Sequence, residues 1–171
     1  MKPRILTVIA IVLAAALSRL IPHPWNFAPI TAIALFGGAH LPKQWAYSLP
    51  LVAMFLSDLI LGFHPEMPLV YLSFLLIVAI GQFVSQRKSF FRVTGAALVS
   101  SVLFFLLSNL GVWLVGVFYP KTVDGLVTCY IAAIPFFQNT LIGDLLYTAT
   151  LFSGFALLSR SWSALRESAT A

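Results

Sequence analysis

Long apolar runs, separated by short clusters of proline and basic residues, dominate the pattern of this sequence. Six such runs cover residues 5–20, 29–41, 45–63, 69–85, 93–119 and 140–159. A helix rises about 1.5 Å per residue and the hydrocarbon core of a bilayer is roughly 30 Å thick, so most of these runs suffice to cross it and the second is short. The pattern predicts an all-α integral membrane protein, with six transmembrane helices in one bundle over residues 1–171.

The basic residues predict how this bundle is oriented. If the second run crosses the membrane, eight of the ten Lys and Arg residues fall on one side, and only Arg19 and Lys121 fall on the other. If that run merely dips in and returns, the division becomes three against seven. Cytoplasmic loops of multi-pass proteins carry the excess of Lys and Arg. We therefore expect six spans with both termini on the cytoplasmic side.

The amino-acid composition also indicates that the lipid bilayer is the main partner of this protein. Hydrophobic residues make up 60% and charged residues 9% of the chain, with a mean hydropathy of +0.98. The net charge of +5 follows from the orientation bias, so it does not indicate nucleic-acid binding. The chain's single cysteine, Cys129, excludes an internal disulfide and a Cys-x-x-Cys site. No cofactor is predicted, although a corrinoid cobalt bound by that thiolate is an alternative.

Two stretches on the predicted outer side are interrupted by proline. Residues 21–29 contain three prolines, which exclude a regular helix. Residues 119–139 form the second stretch, in which residues 123–133 are expected to form a short interfacial helix that Pro135 ends. Both stretches are either ordinary loops with interfacial aromatic residues or a pair of lids over an outward-facing pocket.

Two aspartates inside the predicted spans are the strongest indication of a site. Asp58 and Asp144 lie in the outer halves of the third and sixth spans, where a carboxylate costs at least about 2.5 kcal/mol and needs a partner. Arg19 is the nearest candidate by depth. Either Arg19 forms a structural ion pair with Asp58 or Asp144, or these residues belong to a ligand site. Further candidate ligand-binding residues near this depth are Asn26, Asn109, Tyr130, Asn139 and Tyr147.

The sequence does not support an enzyme. The Tyr-Asp and Gly-x-Gly-Asp motifs of intramembrane aspartyl proteases are missing, and no serine stands in a Gly-x-Ser-x-Gly context. The histidines His23, His40 and His64 are far apart and lack the spacing of a zinc site. We therefore predict no catalytic residue and no metal site.

The first span carries a helix-packing motif. Ala10, Ala14 and Ser18 recur every four residues, so a second helix can approach this groove closely. The groove either receives another span of the same bundle or, if it faces lipid, serves to dock a partner.

Several segments resemble a known family. Residues 22–38, 57–59, 119–122 and 129–140 resemble an uncharacterised family of small bacterial inner-membrane proteins, and the resemblance covers nearly the whole chain. The size, the six-helix layout and the small-residue first helix are also similar to the substrate-binding S components of energy-coupling-factor (ECF) transporters. That similarity implies that Ala10 and Ala14 dock on a transmembrane coupling subunit, which works with ATP-hydrolysing subunits. It also implies an outer site for vitamins or metal ions.

The sequence leaves two main functions open. The first is capture of a small, vitamin-like ligand for uptake, without chemistry, as in an ECF S component. The alternative is a structural or assembly protein of the bacterial envelope that binds no ligand and whose polar residues only hold helices together.

Overall fold

The computed structural model describes residues 2–22, 24 and 26–166, which are mostly helical and contain no strand. The α-helices are α1 (Pro3–Leu17), α2 (Ile30–His40), α3 (Lys43–Leu61), α4 (Met67–Ser85), α5 (Phe90–Val115) and α6 (Val123–Ser161). Single 3₁₀ turns at Ser18–Leu20 and Ser163–Leu165 follow α1 and α6. Five of the helices are long and apolar enough to cross a membrane, whereas α2 is not. The predicted membrane-type helical bundle is thus confirmed at this level.

The short helix α2 forms the centre of the bundle. Every residue from 31 to 39 is buried, and α2 contacts all five other helices. Its 11 residues rise only about 16 Å, roughly half the thickness of the hydrocarbon core. The last residues of α2 are largely buried in the bundle, so its last carbonyl groups need protein partners. Gln82 of α4 supplies one, because its side-chain amide donates a hydrogen bond of 2.8 Å to the carbonyl oxygen of Gly38.

Two glycines allow α2 and α4 to touch through their backbones. A Cβ atom added to Gly38 would lie 2.5 Å from the carbonyl oxygen of Val78, and one added to Gly81 would lie 2.5 Å from that of Leu35. Small residues at helix contacts in membranes permit such close approach. The contact between α2 and α4 therefore depends on the absence of side chains at these two positions.

The predicted interfacial helix that ends at Pro135 is wrong. Helix α6 continues through Pro135 and reaches Ser161, a length of 39 residues, or about 58 Å. The Thr122 side chain caps the start by accepting a hydrogen bond of 3.2 Å from the backbone N–H of Gly125. Contacts with α5 hold the segment before the proline, where the Tyr130 hydroxyl donates to the carbonyl oxygen of Leu106. A cap and a supporting neighbour thus outweigh the one backbone hydrogen bond that a proline removes.

The ends of four helices meet at one end of the bundle. The first residues of α1, the last residues of α2 and α4, and the segment after α6 line a common cavity, whose basic residues include Lys2, Lys88 and Arg166. We call this the basic end. The clustering of basic residues at one end was predicted from the sequence, while the membrane side on which that end lies stays a prediction.

Candidate functional site

Arg19 and Asp58 form an ion pair near the end of the bundle opposite the basic end. The guanidinium Nη1 lies 3.3 Å from Asp58 Oδ1 and also donates to the Ser57 hydroxyl, and the two charged side chains are only 11% and 4% exposed. The Tyr71 hydroxyl donates to Asp58 Oδ2 at 2.7 Å. The cluster neutralises the buried charges and ties the turn after α1 to α3 and α4.

The partnership of Arg19 with Asp58 matches the sequence-based choice of Arg19 as partner, but Tyr71 was missed. Asp58 lies three residues before the end of α3, and Tyr71 lies four residues after the start of α4. The short connection between these helices puts the two residues at similar depth, which is the signal that identifies Tyr71. Tyrosines near membrane surfaces are commonly interpreted as interfacial anchors, so a hydrogen bond from Tyr71 to a buried aspartate is easily overlooked.

Asp144 belongs to a different cluster. Its carboxylate is 2% exposed, accepts a hydrogen bond of 2.7 Å from the Ser101 hydroxyl, and also accepts one from Thr31. These contacts join α6 to α5 and α2. Among the described contacts, Asp144 and Asp58 share no partner, so the structure does not bring the two aspartates into one hydrogen-bond network.

Asn109 and Tyr130 contribute to the packing of α5 against α6. The Asn109 side-chain amide donates to the carbonyl oxygen of Phe105 at 2.8 Å, within its own helix. The Tyr130 hydroxyl donates to the carbonyl oxygen of Leu106 at 2.7 Å, and its ring packs against Phe105. The buried Cys129 thiol points at the Asn109 carbonyl oxygen, with a sulfur-to-oxygen distance of 3.6 Å. In this arrangement, the described polar contacts of these side chains are with backbone carbonyls.

The loop between α1 and α2 packs on α6 beside Asp144. The Phe27 ring lies 5.7 Å from the Tyr147 ring, and a Cβ atom added to Gly143 would lie 3.3 Å from Phe27. Asn26 precedes this contact, is exposed, and has a φ of 58°, a left-handed conformation that asparagine tolerates. Asn139 is partly buried on α6. The loop therefore covers the part of α6 that carries Asp144.

The small-residue groove of α1 faces away from the bundle. Ala10 and Ala14 are exposed, whereas Val8 and Val12 on the other face are fully buried. The Ser18 hydroxyl donates to a backbone carbonyl of its own turn at 2.7 Å. Of the two arrangements open from the sequence, the structure has the outward-facing one.

A cleft of about 790 Å³ opens between α5 and α6 at the basic end. We call it the α5–α6 cleft. The hydrogen bond between Ser101 and Asp144 lies just beyond its inner end, where Ala97 and Thr148 line the two walls. Its mouth carries four cationic side chains, and none of the described lining residues is acidic. The cations are Arg4, Lys88, Arg160 and Arg166.

Backbone carbonyls and aromatic rings position part of this cationic mouth. The Arg4 guanidinium lies 5.3 Å from the centre of the Phe155 ring and donates to the Leu165 carbonyl oxygen at 2.9 Å. Arg166 donates to the carbonyl oxygen of Arg160 at 2.8 Å. The sequence does not reveal this cleft, because positive charge at the end of a span is already expected from membrane orientation.

Within the described part of the chain, no group of three or more His, Cys, Asp or Glu residues is placed to hold a metal ion. Comparison with curated proteins and with solved structures gave no match. A family model described as "Family of unknown function (DUF6580)" matches residues 1–165, nearly the whole chain. The chain therefore belongs to the DUF6580 family, as the resemblance to an uncharacterised family implied.

Proposed function

We propose that this protein captures a small molecule in the membrane and carries out no chemistry on it, with the α5–α6 cleft as its binding site. The observation that supports this function is the cleft itself. Its volume of about 790 Å³ lies within the range of small-molecule sites, and its walls combine apolar side chains with a few polar groups. The proposed role is transport. Uptake of a vitamin-like molecule is its narrower form, in which the cleft, at the end predicted to be cytoplasmic, holds the ligand on the side of release.

This proposal moves the binding site away from the residues that the sequence favoured. Arg19, Asp58 and Asp144 already have short polar contacts with one another or with neighbouring helices. A ligand would have to displace those contacts inside a medium that offers no water as a substitute. The cleft requires no such exchange, because it is already open.

The outward-facing groove of α1 fits the same transport role. Ala10 and Ala14 are exposed on the bundle surface, where a coupling subunit associated with ATP-hydrolysing subunits can pack closely. This part of the proposal rests on the similarity to ECF S components. Its test is whether a partner co-purifies with the wild-type protein and is lost from a variant with leucine at both positions.

Mass spectrometry of the detergent-extracted protein tests the capture function. We expect a small molecule to co-purify with the wild type and to be lost from Ala149→Phe, which fills the cleft from an exposed position on its α6 wall. Ala132→Phe is the matched control, because Ala132 is also an exposed alanine of α6 but does not line the cleft. Equal amounts of the molecule in both variants would rule out the cleft as its site.

A structural role is the second candidate, and the two aspartate clusters favour it. Asp58 joins α3 to α4 and to the turn after α1, while Asp144 joins α6 to α5 and α2. Buried polar contacts of this kind fix how helices pack, with or without a ligand. A wild-type protein that carries no bound molecule in native membranes, and whose loss disturbs an envelope assembly, would support this role over capture.

A further inference from the structure

We propose that the α5–α6 cleft takes a single-chain organic anion, with its carboxylate or phosphate at the cationic mouth and its apolar body along the helix walls. A polar group at the far end of that body is expected to bind Thr148. This inference rests on the proposed function for the existence of the site and names the chemical class of its ligand.

The charge at the mouth selects for an anion. Four of the described residues that line the cleft are Arg or Lys, and none is Asp or Glu. Basic pockets between transmembrane helices bind anionic head groups. Arg166 uses its Nε and one Nη2 hydrogen for the backbone carbonyls of Ser159 and Arg160, and a guanidinium carries five N–H donors. The other N–H groups of Arg166 can therefore donate to an oxyanion. The two backbone contacts fix where this guanidinium lies.

The walls beyond the mouth select for an apolar body. Val93, Phe152 and Phe155 line the cleft between the mouth and Thr148, and Leu145 lies beside Thr148 at its inner end. From Arg160 to Thr148, α6 rises about 18 Å, which is slightly more than half of the roughly 30 Å hydrocarbon core. Ala149 and Ala156 are exposed along the same wall, so the cleft is open at the side. A single chain fits this shape and can enter laterally from one leaflet.

The inner end selects for a polar group. Thr148 is 3% exposed, lines the cleft, and its hydroxyl has no hydrogen-bond partner. Buried hydroxyl groups in proteins are nearly always hydrogen-bonded, so this one indicates a partner supplied from the cleft. The neighbouring Asp144 carboxylate, one helical turn away, accepts from Ser101 and Thr31. A ligand oxygen at the end of the chain would satisfy the Thr148 hydroxyl.

The test measures binding of three probes to the full-length protein in phosphatidylcholine nanodiscs, by calorimetry. The probes are dodecanol, dodecanoate and ω-hydroxydodecanoate. We expect both acids to bind more tightly than the alcohol. The ω-hydroxy acid should bind about two- to tenfold more tightly than dodecanoate, the size of one hydrogen bond. Equal affinity for dodecanol and dodecanoate would overturn the anion assignment.

Variants assign each preference to a residue. Arg160→Gln should weaken binding of both acids about fivefold and leave dodecanol unchanged, because a cation near the membrane surface contributes about that factor. Arg87→Gln is the matched control at the same end of the bundle, since Arg87 does not line the cleft. Thr148→Val should abolish the preference for the ω-hydroxy acid. If that preference persists, the assignment of Thr148 fails.

Two further outcomes separate this inference from the function on which it rests. If Ala149→Phe binds all three probes as well as the wild type, the cleft is not the site and the proposed function fails with the inference. If Ala149→Phe abolishes binding but dodecanol binds as tightly as the acids, the site stands and the ligand class is wrong. Competition by phosphatidylglycerol in the nanodiscs would overturn the single-chain ligand in favour of a leaflet phospholipid.

Discussion

Replacing Gly81 by alanine should destabilise the bundle, because α4 touches the backbone of α2 at this position. The added Cβ would lie 2.5 Å from the carbonyl oxygen of Leu35, 2.9 Å from the Cα of Gly38 and 3.1 Å from the backbone nitrogen of Ala39. All three are backbone atoms, so no side chain can rotate away. Either α2 or α4 must move, and α2 is enclosed by the five other helices.

The magnitude follows from two opposing effects. Overpacking of a well-packed core costs about 1 to 3 kcal/mol, and the rigid neighbours at Gly81 favour the upper part of that range. Alanine has a higher helix propensity than glycine, which offsets up to about 1 kcal/mol. We therefore expect a net loss of about 1 to 2 kcal/mol in the free energy of unfolding.

Gly95→Ala is the matched control within the same bundle. Gly95 lies inside α5, and a Cβ atom added there meets nothing within 4 Å. Only the propensity gain of up to about 1 kcal/mol remains, so this variant should be slightly more stable than the wild type. The assay is reversible unfolding of both variants in the same detergent. Equal stability of Gly81→Ala and Gly95→Ala would refute the close backbone contact between α2 and α4.

Three further predictions use the same unfolding assay. Asp58→Asn should lower the free energy of unfolding by about 3 to 5 kcal/mol, because it leaves a buried guanidinium without a charged partner. Tyr71→Phe should lower it by only about 1 kcal/mol. Equal losses in the two variants would show that the ion pair is not the main stabilising contact of this cluster. Leucine at both Ala10 and Ala14 should change stability by less than about 0.5 kcal/mol because both positions are exposed, and a larger loss would place the groove inside the bundle. Pro135→Ala should stabilise α6 by up to about 3 kcal/mol, since it restores a backbone donor; a destabilised variant would contradict a regular helix there.

The sequence predicted most of the helices because hydropathy and basic residues are the dominant constraints on a chain in a bilayer. It also identified Arg19 as a partner for one of the two aspartates, since a buried carboxylate needs a partner at its own depth, and the structure pairs it with Asp58. These predictions rest on one-dimensional information, namely the length of an apolar run and the position of a charge along it.

The sequence says least where neighbouring helices decide the outcome. The run at residues 29–41 is predicted as a short span, and its helix has only 11 residues, with carbonyls near its end bonded by Gln82 from α4. Pro135 reads as a helix end, but contacts between α6 and α5 support the chain on both sides of it, at Tyr130 and at Asp144. In both cases, a partner distant in sequence satisfies the backbone or holds the segment in place, and single-sequence patterns do not identify such partners.

The cleft was hidden for a related reason. Its α6 wall carries Ala149, Ser153 and Ala156, small residues that in a membrane helix commonly indicate close packing against another helix. Here the same residues line open space between α5 and α6. Whether small residues permit close packing or leave a cleft depends on where the two helix axes separate.

The place where α5 and α6 separate explains how Asp144 can both hold helices together and shape a binding site. The hydrogen bond from Ser101 to Asp144 joins α5 to α6 at the inner end of the cleft, where Ala97, Leu145 and Thr148 line the walls. Asp144 therefore need not contact a ligand in order to shape its site. A carboxylate that joins three helices at the inner end of a cleft fixes the spacing of the helices there, so a structural contact and a binding function are compatible in one residue.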